Sequence, residues 1–155
     1  MASVSGSASG VPGWQRSTVR LATLAVSAVF LLVGVLGFIP GITTGYETMT
    51  FAGHHSGAML FGVFNVSALH NIVHLAFGVI GVAMSTTVSL ARTYLIGGGI
   101  IYLALWIYGL LINQDSPVNF IPVNTADNWL HLGLGAGMIL LGGLLGNRTT
   151  SRQER

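Results

Sequence analysis

The side chains with the clearest capacity for chemistry in this chain are two pairs of polar residues at helical spacing. His70 and His74 are four residues apart, and so are Asp127 and His131. On a helix this spacing places both members of a pair on one face. Imidazole and carboxylate groups are common ligands for zinc and other transition metals. One hypothesis is therefore a metal site with its ligands drawn from His70, His74, His131 and Asp127.

Other hypotheses use the same imidazoles. His74 and His131 could ligate one haem iron from two helices, although they lie at unequal distances from their predicted helix ends. Histidines within a membrane could instead relay protons, as in a small carrier. The plainest interpretation is structural, in which the polar side chains hydrogen-bond one helix to another. We favour this structural interpretation.

No enzyme motif accompanies these residues. Asn71 follows the first histidine where the metalloprotease helix carries its glutamate, so the general base of that motif is missing. No Ser/His/Asp triad can be assigned, because no strand-turn-helix context exists for a nucleophile. The chain has no cysteine, which excludes thiol nucleophiles, thiolate zinc sites and disulfides. We therefore expect no catalytic residue, no resident cofactor and a non-enzymatic role.

The elements that position these residues are apolar. Of the 155 residues, 52% are hydrophobic and only 6% are charged, a composition typical of an integral membrane protein. Apolar runs predict a transmembrane domain at 16–146 with four helices, at about 20–39, 58–84, 94–112 and 126–145. Thr125 is the predicted N-cap of the fourth helix.

Both ends of the chain are polar. We expect a disordered tail at residues 1–15, whose small and polar residues bury too little apolar surface to offset the entropy of ordering. Residues 147–155 are predicted to be a basic cytoplasmic tail.

The arginines indicate the topology. All six basic residues are arginines, and they fall before the first helix, between the second and third, or after the fourth. In a four-span protein these segments share one side of the membrane, which the positive-inside rule assigns to the cytoplasm. We therefore predict a multi-pass plasma-membrane protein with both termini cytoplasmic. Six basic residues are too few for a nucleic-acid surface, so no nucleic-acid partner is expected.

The two halves of the chain share a sequence pattern. Residues 70–78 (HNIVHLAFG) align with residues 127–135 (DNWLHLGLG), with Asn, His, Leu and Gly at the same offsets. Residues 20–37 and 92–109 each begin with arginine and end with glycine. Both halves would begin on the cytoplasmic side, which predicts parallel repeats related by an axis along the membrane normal.

Four motifs together resemble a known family. They are GFIPG at 37–41, LHNIVHLAFG at 69–78, ARTYL at 91–95 and NFIPVNTADNWLH at 119–131. In combination they resemble the actinobacterial membrane-protein family called domain of unknown function 4383, over about residues 16–146. The resemblance implies a small four-span bacterial membrane protein and brings no activity, substrate or cofactor with it.

The sequence thus predicts an all-α integral membrane protein, a four-helix transmembrane bundle built from two parallel two-helix repeats. Helices two and four are expected to turn a polar cluster inward, and the members of that cluster are Asn65, His70, Asn71, His74, Asp127, Asn128 and His131. The expected partners are the lipid bilayer and another membrane protein or a second copy of the chain. The alternatives are a metal- or haem-binding membrane protein and a small carrier with a histidine proton relay.

Overall fold

The computed structural model describes residues 17–146 of the chain. Its four helices are α1 (Thr18–Leu36), α2 (Ala68–Met84), α3 (Val88–Leu111) and α4 (Thr125–Gly146). Three two-residue strands lie between α1 and α2, namely β1 (Thr43–Thr44), β2 (Met59–Leu60) and β3 (Phe64–Asn65). The tails predicted at 1–15 and 147–155 lie outside the described residues.

Three of the helices are long and apolar enough to cross a membrane, and they are α1, α3 and residues Thr125–Leu145 of α4. This is consistent with a membrane protein. Helix α2 is also apolar but has only 17 residues. At about 1.5 Å per residue it is about 25 Å long, a little less than a hydrocarbon core of about 30 Å. Helix length alone therefore supports three spans.

Helix α2 begins ten residues later than the boundary predicted from the sequence, at Ala68 rather than near residue 58. Residues 58–67 instead form β2, β3 and the approach to the helix. Phe61 and Gly62 turn the chain between these strands with φ of 54° and 69°, values that a right-handed helix cannot contain. Ser67 then starts the helix, because its Oγ accepts a hydrogen bond from the His70 backbone N–H at 3.2 Å.

Helix α3 differs from its prediction in the opposite direction, since it begins at Val88 rather than near residue 94. The Thr87 Oγ1 accepts a hydrogen bond from the Leu90 backbone N–H at 3.2 Å and caps this earlier start. Only Ser85, Thr86 and Thr87 separate α2 from α3. The turn between the two halves of the chain is therefore only three residues long.

The helices pair in sequence order. Helix α1 packs along α2 to form the first hairpin (residues 18–84), and α3 packs along α4 to form the second hairpin (residues 88–146). Aromatic side chains fill the space between the hairpins, where the rings of Phe30 and Tyr102 stack with centroids 5.3 Å apart. Leu95 and Met138 are buried in the same core. The hairpins thus share one hydrophobic interior.

The two longer connections meet at one end of the helices, and we call residues 37–67 and 112–124 together the cap. Its three strands form an antiparallel sheet in the order β1-β2-β3. Ala58, Leu60 and Val66 are buried beneath this sheet. The Gly53 backbone N–H donates to the Phe120 carbonyl at 2.6 Å and joins the two connections. The cap is therefore one unit made by both hairpins.

Candidate functional site

The predicted polar residues lie where the cap meets α2 and α4. Asn65 is half-buried in β3. The other six residues of the predicted cluster are buried, and they are His70, Asn71, His74, Asp127, Asn128 and His131. His70, His74, Asp127 and His131 line one small cavity of about 60 Å³. The structure therefore brings the three imidazoles and the carboxylate together.

The two histidines of α2 are oriented by backbone carbonyls. The His70 Nδ1 lies 3.2 Å from the Pro122 carbonyl oxygen, and the His74 Nδ1 lies 3.0 Å from the His70 carbonyl oxygen. A carbonyl oxygen can only accept, so each Nδ1 carries the proton. In the neutral imidazole of His74 the Nε2 is then a hydrogen-bond acceptor, whereas the His70 ring also interacts with the Asn65 carbonyl. The two rings stack with centroids 4.7 Å apart.

His131 approaches the same region from α4. Its ring meets the Tyr102 ring nearly edge-on, with centroids 5.2 Å apart and an interplanar angle of 69°. The His131 Nδ1 is buried and has no hydrogen-bond partner within residues 17–146. His131 is thus packed by an aromatic side chain rather than oriented by a carbonyl, as His70 and His74 are.

Asp127 connects the start of α4 with the cap. Its Oδ2 accepts from the Asn124 backbone N–H at 2.9 Å and from the Asn65 backbone N–H at 3.0 Å. The Asn124 Oδ1 in turn accepts from the Asp127 backbone N–H at 3.0 Å, which completes a capping box. The N-cap is therefore Asn124, so the prediction of Thr125 was wrong by one residue. A carboxylate at this helix N-terminus also interacts favourably with the helix dipole.

The two buried asparagines lie inside their own hairpins rather than around the histidines. The side-chain amide of Asn71 packs directly on Gly37 at the end of α1, and that of Asn128 packs directly on Gly109 in α3. A Cβ atom at either glycine would overlap the facing amide. Asn71 and Asn128 therefore belong to the close approach of the helices within each hairpin.

A second, larger cavity adjoins the three imidazoles, and we call it the histidine cavity. It has a volume of about 270 Å³. Besides His70, His74 and His131, its walls are side chains of α2, α3 and the cap, namely Val73, Tyr102, Leu105, Tyr108, Phe120, Ile121 and Val123. The site is thus a mainly apolar space with imidazoles on one side.

The aromatic side chains of this cavity, Tyr102, Tyr108 and Phe120, were not predicted from the sequence. A signal for Tyr102 alone exists in α3, where the buried residues Tyr94, Gly98 and Tyr102 recur every four residues and so share one helix face. The Pro122 carbonyl has no such signal, because any residue supplies a backbone carbonyl.

Within residues 17–146, no three histidine, aspartate or glutamate side chains are arranged to hold a metal ion. The metal-binding and haem-binding hypotheses stay predictions.

The family model described as domain of unknown function (DUF4383) matches residues 20–144. The chain belongs to the DUF4383 family. The match includes every residue of the predicted cluster, and it confirms the resemblance inferred from the motifs. No curated protein and no solved structure matches the chain.

Proposed function

We propose that this DUF4383 member is a non-enzymatic four-span protein of the plasma membrane with both termini in the cytoplasm. In this proposal its buried polar residues fasten the two hairpins to each other at the cap. Separate observations support the hydrogen bonds between the hairpins, the internal repeat and the fourth membrane span.

The observation that carries the proposal is an exchange of hydrogen bonds between the hairpins. His70 of the first hairpin donates to the Pro122 carbonyl in the connection of the second. Asp127 of the second hairpin accepts from the Asn65 backbone N–H in the connection of the first. In each hairpin, a side chain from the first turn of the second helix thus forms a hydrogen bond with the connection of the other hairpin.

The internal repeat is supported by matching contacts. Residues 70 and 127, which make the exchange, occupy the same position in the aligned segments. The Asn71–Gly37 contact in the first hairpin has its counterpart in the Asn128–Gly109 contact of the second. A second pair of contacts also corresponds between the hairpins. Leu31 packs on Gly78 in the first hairpin, and Leu103 packs on Gly135 in the second.

The fourth span is supported by the ends of the first hairpin. The Arg20 Nε near the start of α1 donates to the Ser85 carbonyl at the end of α2, at 2.8 Å. The start of α1 and the turn after α2 therefore lie at the same end of the molecule. Since α1 is long enough to cross the membrane, a chain that returns to the same end must recross it through the cap and α2. Arg20 and Arg92 then share the cytoplasmic side.

Cysteine labelling tests this topology directly, because the natural chain has no cysteine. Single substitutions His55→Cys in the cap and Thr86→Cys in the α2–α3 turn lie on opposite sides of α2, and both positions are exposed. In right-side-out membrane vesicles, a membrane-impermeant maleimide should label position 55 at once and position 86 only after permeabilisation. Equal labelling of both positions before permeabilisation would show that α2 does not cross the membrane. Labelling of position 86 alone would show that the protein has the opposite orientation.

A further inference from the structure

We propose that the histidine cavity binds a small cyclic apolar molecule that carries a hydroxyl group. This goes beyond the proposed function, because a protein that is only fastened together needs no ligand. The proposal rests on the size of the cavity, the hydrogen-bonding state of its imidazoles and the position of its opening.

The size of the cavity limits the ligand to a compact molecule. An apolar cavity of about 150 Å³ in a protein interior is large enough for benzene. The histidine cavity is nearly twice that size, at about 270 Å³. Val73, Leu105 and Val123 provide aliphatic walls, and Tyr102 provides an aromatic one. A fused bicyclic ring fits this volume and these walls.

The imidazoles determine which polar group the ligand must bring. The Nδ1 atoms of His70 and His74 already donate to backbone carbonyls. The Nε2 atom of His74 is therefore an acceptor in the neutral ring, and an acceptor needs a donor. The His70 ring interacts with a second backbone carbonyl, that of Asn65, so His74 is the imidazole left for a ligand. A hydroxyl group donates one hydrogen bond and is small enough to enter with an apolar ring. An ether or a bare hydrocarbon of the same shape offers no donor.

The opening of the cavity lies beside the cap. Tyr108 and Phe120 line the cavity and are 38% and 58% exposed. The Tyr108 hydroxyl donates to the Val118 carbonyl and holds the 112–124 connection beside the opening. Asn119 stiffens the same connection, since its side chain bonds both the N–H and the carbonyl of Val123 at 3.0 Å. The cavity thus reaches the protein surface at these two aromatic side chains, and an apolar molecule would enter there.

Three naphthalene derivatives of nearly the same shape test the proposal on the purified full chain in mild detergent. The probes are 1-naphthol, 1-methoxynaphthalene and naphthalene, and isothermal titration calorimetry in matched micelles measures their affinity. We expect 1-naphthol to bind about tenfold more tightly than either other probe, as one hydrogen bond to an otherwise unpaired acceptor would give. Equal affinity for the three probes would overturn the proposal.

Two variants separate the cavity from non-specific partitioning into the micelle. Leu105→Trp should fill the cavity and abolish saturable binding of 1-naphthol, with Val73→Phe as a milder filling variant if the first fails to fold. His74→Leu should reduce the affinity for 1-naphthol to that for naphthalene, whereas His54→Leu in the cap, away from the cavity, should leave it unchanged. Unaltered 1-naphthol binding in a folded cavity-filling variant would contradict the proposed site.

Discussion

The two hairpins are built from similar helix contacts but are fastened at residues 70 and 127 in different ways. In the first hairpin, Ser67 caps α2 and the neutral His70 ring reaches the opposite connection. In the second hairpin, the Asp127 carboxyl group completes the capping box at the start of α4 and also accepts a hydrogen bond from the connection of the first hairpin. In the first hairpin each of two side chains has one of these tasks, whereas in the second the Asp127 carboxyl group takes part in both, together with Asn124 as the N-cap. Similar backbones can therefore depend very unequally on equivalent positions.

The largest effect is expected at Asp127. Asp127→Ala removes the acceptor of two backbone N–H groups, and each buried donor left without a partner costs about 1–3 kcal/mol. We expect the free energy of unfolding to fall by about 3 kcal/mol or more in mixed-micelle denaturation. Asp127→Asn should recover part of this loss because it keeps one acceptor oxygen. Asp115→Asn, at an exposed position, is the matched control and should change little.

The glycines of the two hairpins should respond alike. Gly37→Ala and Gly109→Ala each place a methyl group onto a buried asparagine amide. Overpacking of this kind costs about 1–3 kcal/mol. Gly137→Ala is the control, since a Cβ atom there meets nothing within 4 Å. The same denaturation measurement applies, and a large cost at one glycine with none at the other would break the similarity of the hairpins.

The smallest of these effects is expected at the helix cap of the first hairpin. Ser67→Ala removes one neutral capping hydrogen bond from α2, which is worth about 1 kcal/mol. Thr87→Ala at the start of α3 gives a comparison of the same type. A loss of stability for Ser67→Ala as large as that for Asp127→Ala would remove the asymmetry between the hairpins.

The sequence was informative wherever the signal is local and periodic. Hydrophobic runs placed α1 and α4 within a few residues of their observed ends. The four-residue spacing of His70 and His74 indicated a shared helix face, and the two rings stack in the structure. Helix and side-chain periodicity depend on the chain itself, so they can be read from it.

The sequence was misleading or silent wherever the structure depends on distant parts of the chain. Residues 58–67 are apolar like a helix but contain two strands, and of their hydrophobic side chains only those of Ala58, Leu60 and Val66 are buried, in one cluster with Val33 and Leu36 of α1. The contacts from Asp127 to Asn65 and from His70 to Pro122 join residues more than fifty positions apart. A backbone group takes part in each contact, and the residue type does not indicate which backbone group will be a hydrogen-bond partner.

The unequal lengths of α2 and α3 have a consequence for the depth of the sheet in the bilayer. The two helices meet at the turn 85–87, but α3 has 24 residues and α2 has 17. Helix α3 therefore continues for about 10 Å past the start of α2. The strand that precedes α2 contacts the start of α4, where the Asn65 backbone N–H donates to Asp127, at the level of the outer lipid leaflet in the proposed topology. Non-helical backbone is tolerated there only when protein shields it, and the exposed Phe61 and Val63 then face acyl chains rather than water.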